Sequence, residues 1–209
     1  MTCTRRTLLA STALIALGFA SPALAESEGE RLKKRGKSER YERQTDRSKI
    51  KAGCARIAVK AEPDVVEKVA KDFKNYARFI SKFKKARVVG KEGDHTLVYL
   101  SVPILHGAAN IWAVVKFGPT RKEGESRVIE GRMTEGNVKR LDALWRITPI
   151  DDKHTQLDCE LLIEPKIPAP GSVVTGEVAY AADEAVTGAA KRAVSQQRKA
   201  DRKKKREAK

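Results

Sequence analysis

From Glu62 to Val89 the chain reads "EPDVVEKVAKDFKNYARFISKFKKARVV", and the way this stretch divides its aromatic and basic side chains decides the fold. Aromatic residues make up only 5% of the chain, yet three of its five phenylalanines, Phe73, Phe79 and Phe83, fall here, with Tyr76 among them. Lysines and arginines separate them. The stretch therefore suits three roles: a basic amphipathic helix at a membrane, a nucleic-acid patch, or one wall of a pocket. Its opening is helical. Pro63 fits the first turn, where its missing N–H costs nothing, and Asp64 suits the positive end of the helix dipole. Val65, Val66 and Val69 recur at helical spacing, and a break near Asn75 predicts two short helices in place of one long one.

Charge accounting narrows the choice. The 209 residues carry a formal net charge of +16. Residues 26–52 hold ten basic and six acidic side chains, and residues 191–209 hold ten basic and two acidic. With Arg5 and Arg6 set aside, residues 53–190 are left at only +2. The basic excess belongs to the two ends, and the aromatic stretch lies in a nearly neutral domain. Residues 26–52 have almost no apolar side chains and are predicted to be disordered. Residues 194–209 read as a basic tail, either a helix extension or disordered. Such ends attract anionic lipid, surface polysaccharide or nucleic acid, or serve only as solubilising charge.

The 138 residues from 53 to 190 suit one domain with a single core. "ARIAVKA" (55–61) alternates as a half-buried strand should. After the two short helices, turn signals separate "ARVVGKE", "HTLVYLSV", "ANIWAVVKF", "SRVIEGRM", "VKRLDALWRITPI" and "HTQLDCELLIEP". Leu157, Cys159, Leu161 and Ile163 share one face of the last strand, and Leu141, Ala143, Trp145 and Ile147 share one face of the strand before it. A sheet covered on one side follows. From Ser172 the period changes: Val174, Val178, Ala181, Ala182, Ala185, Ala189 and Val194 form the stripe of a long helix. Its small side chains permit close approach to a sheet, or leave room beneath the helix. The expectation is an α+β domain with seven antiparallel strands and helices on one face.

Glu62–Val89 resembles the opening motif A-P-x-x-V-W-x-x-L-x-D-Y-x-x-Y-P-x-F-L-P-x-V of the polyketide cyclase and coenzyme Q-binding protein branch of the START-like superfamily. "GNVKRLDALWRITPIDDKHTQLDCELLIEP" is similar to that branch's entry into its last two strands, and "KIPAPGSVVTGEV" to its linker into the C-terminal helix. Together the three cover about Gly53 to Ala193. The resemblance implies a helix-grip fold: a curved seven-stranded antiparallel sheet wrapped around a long C-terminal helix, with a cavity for an apolar ligand capped by two short helices. The chain departs from the pattern where Ala77 and Ser81 replace the two prolines of the Y-P-x-F-L-P run, where Val66 or a small neighbour replaces the aromatic of the first helix, and where Ala143 replaces a glycine.

The extreme N-terminus reads as a signal peptide. Arg5 and Arg6 precede an apolar run from Leu8 to Ala20, then Ser21-Pro22, then the A-x-A site Ala23-Leu24-Ala25. The run is short of the roughly 20 residues needed to span a bilayer. Cleavage after Ala25 and a periplasmic or secreted location are expected. "TRRTLL" also loosely resembles a twin-arginine export signal. Export places Cys54 and Cys159 in an oxidising compartment, where they form either one disulfide, worth about 4–5 kcal/mol in the chain-entropy model, or two small apolar fillers on separate strands. His95, His106 and His154 are too scattered for a zinc or haem site, and no metal or cofactor is expected.

For function, the expectation is non-catalytic binding or carriage of a lipid, quinone or other apolar molecule. Candidate lining residues are Tyr76, Phe79, Phe83, Tyr99, His106, Trp112, Trp145 and Tyr180; the aromatic ones otherwise serve as ordinary packing and His106 as a loop residue. Glu130 and Arg132 share a strand face and are read as solvated. Two alternatives stand beside this. One is an envelope interaction module whose basic ends meet an anionic membrane or polymer; export argues against nucleic acid. The other is an aromatase/cyclase-type enzyme, for which His106 is the one histidine near a cavity mouth.

Overall fold

Pro63 does open a helix, with Glu62 as its extended N-cap residue, and the elements around it follow the alternation of the sequence. A computed structural model describes residues 26–104, 109–166 and 170–208. In chain order the elements are α1 (Glu28–Arg35), β1 (Glu39–Arg43), β2 (Ala52–Val59), α2 (Pro63–Ala70), a 3-10 turn (Phe73–Asn75), α3 (Tyr76–Phe79), β3 (Lys85–Glu92), β4 (His95–Ile104), β5 (Ala109–Phe117), β6 (Arg121–Glu123), β7 (Ser126–Gly136), β8 (Arg140–Asp151), β9 (His154–Glu164) and α4 (Gly171–Glu207).

One antiparallel sheet runs in the order β1-β2-β9-β8-β7-β5-β4-β3, with β6 paired to β7. Nine strands, where seven were expected, come from two additions. β6 is a three-residue arm turned back through Gly124, whose φ of 59° suits glycine. β1 comes from the segment expected to be disordered. Register shifts at Val88/Gly90, Val114/Val115 and Pro149/Asp151 bend the strands, and α4 packs across the inner face against β2 and β9.

The order within residues 28–43 corrects the sequence reading. Composition supplied too few apolar residues for an independent unit, but the segment borrows its partner surface from the sheet. Ser27 accepts the Glu30 N–H at the start of α1, and left-handed Gly36 ends it. Leu32 is fully buried. Gly29 lies against Ile150, where a Cβ would approach to 2.7 Å. Glu28 bonds both Arg56 and Gln156, Arg31 bonds Glu39, and Lys33 reaches Asp151 at 2.6 Å. β1 pairs with β2 from Glu39 opposite Arg56 to Arg43 opposite Ala52. At the other end the basic tail is helical, an extension of α4 as far as Glu207.

The cysteines are not bridged. Both are buried and free. β2 and β9 are neighbours, but Cys54 stands opposite Glu160 and Cys159 opposite Ala55. One residue of offset sends the two side chains to opposite faces of the sheet. Cys54 joins Ala52, Leu162 and Tyr41 on the outer face, and Cys159 joins the main core on the inner face.

Candidate functional site

Between the inner face of the sheet and the first third of α4 lies an apolar cavity of about 230 Å³. Alternation builds its floor. Leu141, Ala143 and Trp145 of β8 stand beside Cys159, Leu161 and Ile163 of β9, the two odd-numbered faces read from the sequence. Leu100 and Val102 of β4 and Ile111 and Ala113 of β5 extend the wall. α4 closes it with Val174, Val178, Ala181 and Ala185, whose short side chains leave space that longer ones would fill. The same turns touch the sheet closely on their other flank. At Gly53 a Cβ would lie 2.2 Å from the backbone nitrogen of Ala179. Both meanings of the small-residue stripe therefore apply, on adjoining sides of the same turns of α4.

The aromatic stretch forms the cap. Tyr76 is 2% exposed and packs edge-on against Phe73 and Phe79, with Phe83 tilted at 5.7 Å and Trp145 at 6.4 Å between ring centroids. Phe73 stacks on Phe117 at 4.4 Å. Trp145 donates its indole N–H to the Tyr76 hydroxyl at 3.0 Å, and that hydroxyl donates to the Ala70 carbonyl. Burial holds the Tyr76 phenol well above its ordinary range. The two polar atoms deepest in the aromatic wall thus satisfy each other and present rings to the cavity. Burial also pushes the Cys159 thiol well above its usual range, which keeps it protonated and unreactive.

The cap is tied to α4 at several points. Gly188 lets the helix approach the Phe79 carbonyl oxygen, to which a Cβ would come within 2.1 Å. Ser81 donates to Glu184, and the Lys82 ammonium lies 4.3 Å above the Tyr180 ring. Among the described residues, Lys82 and Glu177 are the charged ones on the cavity lining, next to exposed Val173. Ser81 occupies a proline position of the family motif, so the departure noted in the sequence supplies a hydrogen bond between cap and helix.

Of the residues nominated from sequence, the structure brings Tyr76, Phe83 and Trp145 to the cavity. Phe79 packs on the Tyr76 ring but does not line the space. Tyr99 and Trp112 lie on the outer face, stacked at 6.1 Å with Arg87 over the Tyr99 ring. Their neighbours Leu100, Ile111 and Ala113 face inward instead. Both parities of β5 carry apolar residues, so alternation alone did not decide which faced the helix. Tyr180 lies outside the cavity, 39% exposed, between Lys82 and Arg40. His106 lies outside the described residues. Arg132 is exposed on the outer face and Glu130 pairs with Arg121 at 2.8 Å, the solvated arrangement expected. The lining residues of β4, β5 and α4 are not among the nominated ones, although the small-residue stripe of α4 marks the room beneath the helix.

A family model described as polyketide cyclase / dehydrase and lipid transport matches residues 59–188. No curated protein matches the chain. Among solved structures, a STAR-related lipid transfer protein from Xanthomonas axonopodis superposes with a TM-score of 0.60 at 17% identity, covering 83% of this chain and 96% of that one. A START superfamily protein from Mycobacterium smegmatis gives 0.57 at 18%, covering 71% and 97%. The Zhui aromatase/cyclase from Streptomyces sp. R1128 gives 0.53 at 16%, covering 70% and 93%. At these identities the likeness is one of fold, the helix-grip arrangement of sheet and C-terminal helix.

Proposed function

Because the chain belongs to the polyketide cyclase / dehydrase and lipid transport family, we propose that it binds and carries an apolar small molecule of the lipid or quinone class, without turning it over. The observation that carries this reading is the cavity under α4. Its wall is apolar, and the tyrosine and indole groups within it are already hydrogen-bonded to one another and to Ala70. Such a surface rewards burial of hydrocarbon, at about 25 cal/mol per Å² removed from water. The volume of about 230 Å³ lies below the roughly 300–1,000 Å³ of drug-sized sites. It suits one slender chain or ring system and excludes a whole two-chain phospholipid. Lys82 and Glu177 offer a polar end of the ligand two opposite charges.

Absence of turnover is supported by the wall itself. A phenol raised by burial and a protonated thiol are poor proton-transfer groups near neutral pH. The proposed site of action is the periplasm or the exterior, after cleavage following Ala25. The support is the basic, apolar and A-x-A order of the first 25 residues, which lie outside the described structure.

Native mass spectrometry of the protein purified from cells tests this reading. A co-purifying apolar mass, released by organic solvent, is the expected result. Ala181→Phe, which adds a ring to the cavity wall, should lower its occupancy at least tenfold. A folded protein with no bound mass, or equal occupancy in Ala181→Phe, overturns the proposal.

A further inference from the structure

Beyond Ala193, the last buried residue of α4, the helix continues for several turns, and residues 201–208 are all exposed. One side of this extension is held to the domain. Gln197 accepts the Glu62 N–H at 3.1 Å and donates to the Glu62 carboxylate at 3.1 Å and to Asp201 at 3.0 Å, while Lys204 lies 4.0 Å from Glu62. At about 100° per residue, Lys191, Arg198, Lys199, Arg202, Lys205 and Arg206 fall on an arc of about 120° turned away from those contacts. Among the described residues, none of these six has a carboxylate within ion-pair distance; the pairs of the extension are Lys204 with Glu62 and Lys203 with Glu207. Exposed Lys60 at the end of β2 adjoins the groove lined by Arg198, Lys199 and Arg202. The arc is about 22 Å long and carries no apolar residue.

We infer that this face moors the protein to an anionic membrane surface by attraction to headgroup phosphates, without insertion. The choice of a bilayer over another polyanion rests on the carriage reading, since an apolar cargo is stored in membranes. A flat charged surface can meet all six cations at once, at spacings comparable to the ~8 Å screening length, and each contributes independently. Along the helix axis the centre of the arc lies about 30 Å from the turns that cover the cavity. Mooring and cargo binding are therefore separable by mutation.

The test is co-sedimentation of the full chain with vesicles of phosphatidylcholine alone or mixed with phosphatidylglycerol, at low and high salt, with native mass spectrometry of the same samples. The variant Arg198→Gln, Lys199→Gln, Arg202→Gln, Arg206→Gln changes only exposed side chains, and any contribution of the apolar N-terminal stretch appears equally in both proteins. The parent should bind anionic vesicles and release at high salt. The variant should lose about fivefold per charge, more than a hundredfold in all, with cavity occupancy unchanged. Equal binding of the variant to anionic vesicles overturns the inference. So does displacement of the parent from vesicles by a DNA duplex at equal phosphate concentration, which would name nucleic acid as the partner. Charge-dependent vesicle binding by a protein whose cavity is empty would support mooring while overturning carriage.

Discussion

The chain's two tryptophans stand on one sheet, separated by a single intervening strand, and have opposite surroundings. Trp145 points inward, 3% exposed, with its N–H committed to Tyr76. Trp112 points outward, half-buried, against Tyr99. The inner face is apolar and covered by α4. The outer face carries charge, covered in part by α1 and crossed by ion pairs such as Arg56–Glu28 and Arg140–Asp142. An aromatic residue has no fixed role in this fold; the face it occupies assigns one.

Truncating the two tryptophans in turn separates the two faces. Trp145→Ala removes a fully packed ring and a hydrogen-bond donor and should cost about 4 kcal/mol in urea denaturation. A loss as small as that expected for Trp112 would mean that the inner face is loosely packed. Next in size is the contact that sets the distance between helix and sheet. Gly53→Ala drives a Cβ into the α4 backbone at Ala179, so a cost of about 3 kcal/mol and altered cavity occupancy are expected. Stability and ligand content measured together would show whether close packing there controls the space beside it, under the same turns.

The outer face has its own buried group. Asp158, 4% exposed, is pushed up to about 6 by burial, with Gln156 donating to its carboxylate and Arg56 and Arg146 opposite it in register. Its unfolded value is about 3.9. The folded chain therefore holds a proton that the unfolded chain releases between about pH 4 and 6. The stability from this group is present below pH 4 and is lost as pH rises through 6. Asp158→Asn should accordingly gain about 2 kcal/mol at pH 7.5 and little at pH 4, read from denaturation midpoints across that range. A pH-independent effect would place the carboxylate in contact with water. The smallest effect is expected at the surface: Trp112→Ala should cost about 1 kcal/mol and leave cavity occupancy as it was.

Much of this architecture was legible in the chain. Turn signals delimited the hairpin strands, and six of the eight odd-numbered apolar residues of β8 and β9 form the cavity floor, with Ile147 and Leu157 in the core beside it. Their legibility has a physical cause: opposite parities in those strands differ sharply in polarity. β5 lacks that contrast, with Trp112 and Val114 on one parity and Ile111 and Ala113 on the other, so Trp112 was misassigned along with Tyr99. Tyr180 failed for a related reason. A helix stripe of alanine and valine shows which side is buried, but a tyrosine at its border turns according to its neighbours, here Lys82 and Arg40.

Within residues 53–193 the amino-acid sequence alone marks every strand and helix but the short β6, because turn chemistry and hydrophobic period act within a few residues. It also determined that the domain is nearly neutral and the C-terminal extension strongly basic. The rest depends on contacts between segments far apart in the chain. The order of residues 28–43 depends on partners such as Arg56 and Asp151, many residues away in the chain. The separation of Cys54 from Cys159 depends on one residue of register between two strands. The cavity depends on where α4 rests, held close at Gly53 and Gly188 and standing off at Ala181 and Ala185. Each is a matter of how far apart two distant backbones lie, a quantity that local composition does not encode.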